Sequence, residues 1–126
     1  MLRTPLRHSP WLSSASGGDV FLKIETIQPT FSYKLRGATN AVLKLVEAGR
    51  REPIVTASAG NHGRALAFAA RRAGIPLTVY VPQHAPRTKL DAIRALGAEL
   101  RPCRDYDEAE RRAKEHGARG LGTYVS

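Results

Sequence analysis

A lysine and a glycine-punctuated loop are the residues of this chain whose types and spacing could do chemistry. The loop, Ser58-Ala59-Gly60-Asn61-His62-Gly63, follows the strand-like run Ile54-Val55-Thr56-Ala57 and leads straight into the apolar stretch Ala65 to Ala70. Small residues there let the backbone approach a ligand, while the N–H groups and dipole of a helix start favour an anion such as a carboxylate. Ser58 and Asn61 add side-chain donors. The same residues also suit a tight βα turn in which Asn61 is the N-cap. Neither G-x-G-x-x-G nor G-x-x-x-x-G-K-[ST] occurs, so the two common nucleotide loops are absent.

Lys34 stands in Thr30-Phe31-Ser32-Tyr33-Lys34-Leu35-Arg36-Gly37-Ala38, in the first turn of a predicted helix, where a cation is electrostatically misplaced. Burial and a helix N-terminus would both disfavour its ammonium form, and a neutral amine is what a Schiff-base lysine needs. An ordinary surface lysine is the alternative. The remaining groups offer less. His8, His62, His84 and His116 lack metal-ligand spacing, so no metal site is expected, and His116 continues the apolar face of a helix. Cys103, the single cysteine, reads as a small buried residue, and there is no Gly-x-Ser-x-Gly elbow or Ser/His/Asp arrangement.

The elements that must position these groups follow from punctuation and periodicity. Short β-branched runs at Val20–Ile24, Ile54–Ala57, Leu77–Val81, Ala98–Leu100 and Leu121–Val125 predict strands. Between them, Leu35, Ala38, Val42 and Leu45 share one helical face, as do Tyr106, Ala109, Ala113 and His116. Ala65 to Ala70 is apolar all round, as in a helix buried between layers. Gly49, Gly74, Gly97 and Gly117 are placed to close helices, while Thr88–Asp91 and Asp105–Glu108 have the spacing of helix-start caps. Asp107–Arg111, Glu108–Arg112 and Glu110–Lys114 are acid-before-base pairs at i, i+4, which support an exposed helix. Alternation of strand and helix from residue 54 onward predicts an α/β fold: a four-stranded parallel sheet flanked by helices. Residues 1–50 differ, with a loop-rich start, one strand and one long helix, and a boundary is expected near Gly49–Pro53.

The chain has 126 residues with 42% hydrophobic and 25% charged residues, which suits a globular domain and not a disordered segment. One cysteine excludes an internal disulfide framework. No apolar run is long enough for a membrane span, and Met1 to Pro10 lacks the apolar core of a secretory signal, which points to the cytoplasm and to no membrane partner. Twenty Lys and Arg against eleven Asp and Glu give a formal charge of +9. That excess is spread over both halves and has no aromatic interleaving, so it argues for solubility and weak attraction to anions and not for nucleic-acid binding.

Taken together, the motif from Glu25 through Lys34-Leu-Arg-Gly-Ala38 and the loop Thr56-Ala-Ser-Ala-Gly-Asn-His-Gly63 closely resemble the serine/threonine dehydratases of fold type II, which use pyridoxal 5'-phosphate. Thr4-Pro5-Leu6 and Val20-Phe-Leu-Lys-Ile-Glu25 fit that family's opening. The resemblance implies that Lys34 binds the cofactor covalently and later removes the substrate's α-proton, that Tyr33 packs near the cofactor ring, and that Asn61 hydrogen-bonds its phenolic oxygen. It also implies that Ser58, Ala59, Gly60, Asn61 and His62 hold the substrate carboxylate. The implied reaction is α,β-elimination of water from L-threonine or L-serine, giving a 2-oxo acid and ammonia. Racemase-like members commonly carry a second serine in the loop as acid/base on the opposite face. Ala59 stands there in this chain, which favours elimination. Cysteine synthase-like members usually read Thr-Ser-Gly-Asn-Thr-Gly in the loop and Lys-Asp-Arg after the lysine, whereas this chain has His62 and Leu35 at the distinguishing positions.

On the same resemblance, residues 1–50 are an N-terminal segment of the large cofactor domain and residues 51–126 the small α/β domain. The glycine-rich phosphate cup and the rest of the large domain are missing. The expected partners are an amino-acid substrate and that C-terminal half, the full-length protein being a homo-oligomer, with the 126 residues alone inactive or very weak. The alternatives are a non-catalytic remnant or binding module that keeps the fold, and another fold type II activity such as a racemase or a hydroxyaspartate ammonia-lyase.

Overall fold

The computed structural model describes residues 1–126. Its elements run β1 (Leu6–His8), α1 (Pro10–Ser16), β2 (Phe21–Lys23), a 3-10 turn (Glu25–Ile27), α2 (Lys34–Glu47), β3 (Ile54–Ala57), α3 (Asn61–Ala73), β4 (Leu77–Pro82), α4 (Arg87–Arg94), β5 (Glu99–Cys103), α5 (Tyr106–Ala118) and β6 (Thr123–Tyr124). β3 to β6 form one parallel sheet, as the alternation predicts, with the strand order β5-β4-β3-β6, and β1 and β2 form a separate antiparallel pair. The chain is thus an α/β protein with a four-stranded parallel sheet flanked by helices.

Alternate residues of the central strands feed two cores. On one face Ile54, Val79 and Val81 meet α3 through Ala65, Leu66, Ala69 and Ala70, and α2 through Leu35, Ala38 and Val42. On the other, Val55, Ala57 and Tyr80 meet Ala109 and Ala113 of α5 together with Cys103. α3 is therefore sandwiched between the sheet and α2, which explains why Ala65 to Ala70 is apolar all round. α2 shares this core with the elements beyond residue 51. β5 is an edge strand, where Pro102 costs no ladder hydrogen bond. Burial pushes the Cys103 thiol up from its ordinary pKa, as suits an inert packed side chain.

Several local expectations are corrected. The start is not loop-rich: Ser9 caps α1 by accepting from the Leu12 N–H, Pro10 occupies the first turn, and Gly17 ends the helix with φ 74°. Those are helix-boundary signals that the serine-rich composition obscured. Gly49, Gly74 and Gly97 do take positive φ, but Gly117 lies inside α5, where a Cβ would come within 2.9 Å of the Tyr124 Cβ. Close packing, not helix termination, requires glycine there, and Gly120 makes the left-handed turn instead. Thr88 is not a cap, because α4 begins at Arg87 after Pro86. Asp105 is one, accepting from the Glu108 N–H at 2.8 Å, while Glu108 accepts from the Arg104 N–H. On α5, Arg112 and Lys114 pair with Glu108 and Glu110 as expected, whereas Arg111 turns forward to Glu115 and not back to Asp107. Tyr106 is exposed, so the buried face of α5 is narrower than its spacing suggested.

Thr56 is fully buried in β3, and its hydroxyl oxygen has no hydrogen-bond partner. A desolvated, unpaired hydroxyl costs on the order of 1 kcal/mol or more. Thr56→Val should therefore raise the unfolding free energy by about 1 kcal/mol in urea titration. A loss of similar size would mean that the hydroxyl is satisfied.

Candidate functional site

The chain leaves β3 for α3 on one face of the sheet and reaches the adjacent strand β6 from α5 on the other. That makes the β3/β6 seam a topological switch point, the place where open parallel sheets hold ligands beyond their strand ends. The segments beyond those ends are 58–63 and 125–126. α2 packs along α3 and brings its first turn to the same place.

A cavity of about 270 Å³ opens there. Tyr33 and Lys34 line it with Gly37, Ala38 and Ala41, which follow Lys34 at helical spacing and leave room beside it. His62 of α3 and Val125–Ser126 beyond β6 line the other part. Lys34 is exposed, so the burial expected of it is absent. Its Nζ lies 5.4 Å from the centroid of the Tyr33 ring. His62 is half-buried, and its Nε2 is shielded from solvent with no hydrogen-bond partner. Burial lowers the His62 pKa from the ordinary histidine value and the Lys34 charge adds to this, with the Val125 backbone acting in the opposite direction.

The loop is built around Ser58. Its Oγ accepts from the Gly60 N–H at 3.2 Å and the Gly63 N–H at 3.0 Å, doing the capping expected of Asn61. The N-cap position itself is Gly60, and Asn61 is an exposed first helical residue. Gly63 lets the helix sit against the loop, since a Cβ would come within 2.5 Å of the Ser58 carbonyl oxygen. The Arg64 N–H reaches the Gly60 carbonyl, and the N–H groups of Ala59, Asn61 and His62 have no partner within the chain. Unanswered N–H groups at the start of a 13-residue helix are a set of donors for an anion.

The structure therefore brings Tyr33, Lys34 and His62 to one cavity and sets Ser58, Ala59 and Gly60 in the adjoining turn. Asn61 opens instead onto a neighbouring hollow of about 250 Å³ that Gly60, Arg64, Thr88 and Lys89 also line. A further tie between the two motifs was not foreseen. Phe31 takes φ 57°, which is rare for a bulky residue, and its ring lies 5.1 Å from the Arg64 guanidinium. It thereby links the segment before Lys34 to the first turn of α3.

A second unforeseen feature anchors α2. Arg36, two residues beyond Lys34, makes a two-pronged contact with Glu25 (Nε–Oε2 and Nη2–Oε1, both 2.8 Å), and Thr4 donates to the same carboxylate. Gln28, fully buried, bonds both the N–H and the carbonyl of Leu2 at 2.9 Å. The clasp holds the Glu25 carboxyl down to about 2, chiefly through Arg36 and then Thr4. Because this folded value lies below the ordinary 4.5, the stabilisation is complete above pH 4.5 and is lost as pH falls towards 2. Glu25→Gln should lower the melting temperature at pH 7 and flatten the loss of stability across that window. Glu52, held near 2 chiefly by Thr123, keeps its own share. Melting curves of wild type and variant that fall in parallel would show the clasp to be unformed.

All 126 residues match the family described as "Pyridoxal-phosphate dependent enzyme". The chain is 45% identical over 98 residues to an L-threonine ammonia-lyase of Thermotoga maritima, covering 78% of this chain and 24% of that protein. It is 47% identical over 109 residues to the serine racemase of Homo sapiens, covering 84% of this chain and 32% of that one. Among solved structures, the processed threonine deaminase isoform 2 of Solanum lycopersicum superposes with a TM-score of 0.88 at 33% identity, over 99% of this chain and 37% of that chain. The chain thus spans about a quarter to a third of the length of the two relatives it matches. With its parallel sheet, its lysine at the switch point and a match along its whole length, the chain belongs to the fold type II family of pyridoxal-phosphate-dependent enzymes.

Proposed function

We propose that these residues form the N-terminal part of an ammonia-lyase that removes water from L-threonine or L-serine and releases a 2-oxo acid and ammonia. The observation that carries this reading is the shared cavity, which Lys34 lines together with His62, the end of a turn in which the Ala59, Asn61 and His62 N–H groups have no partner within the chain. The residues present fit the cofactor at that point: an amine for its aldehyde, an aromatic neighbour in Tyr33, and a buried, unpartnered His62 Nε2. When bound, pyridoxal phosphate supplies that aldehyde and a ring that accepts the electrons of a broken Cα–H bond. Asn61 opens onto the adjoining hollow, so its assignment to the phenolic oxygen rests on the resemblance alone.

Lys34 Nζ takes the α-proton of the amino acid. The N–H groups of Ala59, Asn61 and His62 hold its carboxylate and so fix which face of Cα the amine meets. The β-hydroxyl departs as water with the proton that Lys34 Nζ took from Cα, and a carbon–carbon double bond forms. Water then replaces the nitrogen, giving 2-oxobutanoate from threonine or pyruvate from serine, together with ammonia.

The racemase relative is as similar as the lyase, so overall identity does not choose between the two reactions. Ala59 favours elimination. Racemisation needs a second acid on the opposite face of Cα, and a methyl group has no proton to give. Residues 1–50 contribute to the large domain in this reading. Ten of the twelve exposed large hydrophobic side chains lie between Met1 and Leu43, which supports further polypeptide covering them.

The test is a chimera in which these 126 residues replace the matching segment of the Thermotoga lyase. With L-threonine it should form 2-oxobutanoate, and with L-serine it should form pyruvate without D-serine. D-serine as the main product, read by chiral chromatography, would overturn the lyase assignment.

A further inference from the structure

We propose that the hollow between α5 and the β4–β5 edge of the sheet binds a small phosphorylated ligand. It lies on the sheet face opposite α2 and α3, away from the Lys34 cavity and independent of the reading above. Arg101 of β5, Arg112 of α5 and Arg119 just past α5 line a cavity of about 330 Å³ together with Tyr80 and His116. Arginines from a strand, a helix and the turn after that helix thus line one hollow.

The two rings are fixed in place. Tyr80 is 7% exposed, and its hydroxyl bonds His116 Nδ1 at 3.1 Å and accepts from Arg101 Nη1 at 3.3 Å. Arg101 also gives its Nε to Glu99, and Arg112 gives one Nη to Glu108, each at 2.9 Å. Arg119 has no ion-pair partner. Glu115, the one carboxylate lining the cavity, is engaged by Arg111 at 2.7 Å. Arg101 Nη2, the Nε and other Nη of Arg112, and all of the Arg119 fork are left as donors. Planar guanidinium forks match phosphate oxygens two at a time, which a diffuse surface charge does not. Leu121, exposed beside Arg119, gives an apolar wall for the organic part of a phosphate ester.

The formal charge of +9 would draw anions to any part of the surface, so the test must separate this hollow from that background. Calorimetric titration of the 126-residue chain with inorganic pyrophosphate at fixed ionic strength does so when two double variants are compared. Arg112→Ala with Arg119→Ala should weaken binding about tenfold or more, as loss of two charge-assisted contacts predicts. Arg3→Ala with Arg51→Ala removes the same charge from exposed, unpaired positions elsewhere and should leave the affinity within about twofold. Equal weakening by both pairs, or no saturable binding by the wild type, overturns the proposal. Should the first pair fail to fold, Arg119→Ala alone, which breaks no ion pair, must still weaken binding several-fold.

Discussion

Replacing Lys34 with alanine should abolish covalent attachment of pyridoxal phosphate in the chimera and cut 2-oxo acid formation by at least about 100- to 10,000-fold. No other lysine lines the cavity: Lys23, Lys44, Lys89 and Lys114 all lie elsewhere. The loss should come without unfolding. Lys34 is exposed and in no ion pair, its ammonium lying over the neighbouring Tyr33 ring, so alanine leaves the core and the Glu25–Arg36 clasp untouched. Far-ultraviolet circular dichroism of the variant should match the wild type while the visible absorbance of the attached cofactor disappears. A variant that keeps both absorbance and turnover would remove Lys34 from the chemistry.

The largest effect on stability should come from Leu66→Ala. Leu66 is fully buried where α3 is pressed between the sheet and α2, in a core otherwise rich in alanine. Small neighbours cannot swing in to fill the space, so the lost burial and the residual cavity should together cost about 2–5 kcal/mol. For a chain of this length that corresponds to a fall in melting temperature on the order of 10 °C. Because α3 carries Asn61 and His62 in its first turn, the variant should also loosen the loop, which hydrogen exchange at Gly60 and Gly63 would report as faster. A change below about 1 kcal/mol would mean that the α2–α3–sheet sandwich is not tightly packed.

The sheet was legible in the sequence because both of its faces are covered: β3 and β4 are nearly continuous apolar runs, and α3 is apolar all round. The loop was legible for a related reason, since small residues between a buried strand and a buried helix leave few alternatives to a tight turn. What escaped was held by side-chain bonds between distant segments. Nothing in the spacing of Thr4, Glu25 and Arg36 signals that they meet, and Phe31 gives no sign of its positive φ or of Arg64 beneath it. The small-residue stripe Gly37, Ala38 and Ala41 could have been found, because it follows Lys34 at helical intervals on the face that lines the cavity. Ser58 caps in place of Asn61 because the N-terminal donors can be answered from a residue before the turn as well as from its last position. Lys34 proved exposed because the small residues beside it keep the cavity open on that side.

Borohydride reduction of the chimera in the presence of pyridoxal phosphate, followed by peptide mapping of the five lysines that these 126 residues contribute, tests the central claim most directly. If the amine beside the Ser58–His62 turn is the cofactor's anchor, the reduced adduct should concentrate on Lys34. Labelling spread evenly over Lys23, Lys34, Lys44, Lys89 and Lys114 would contradict it.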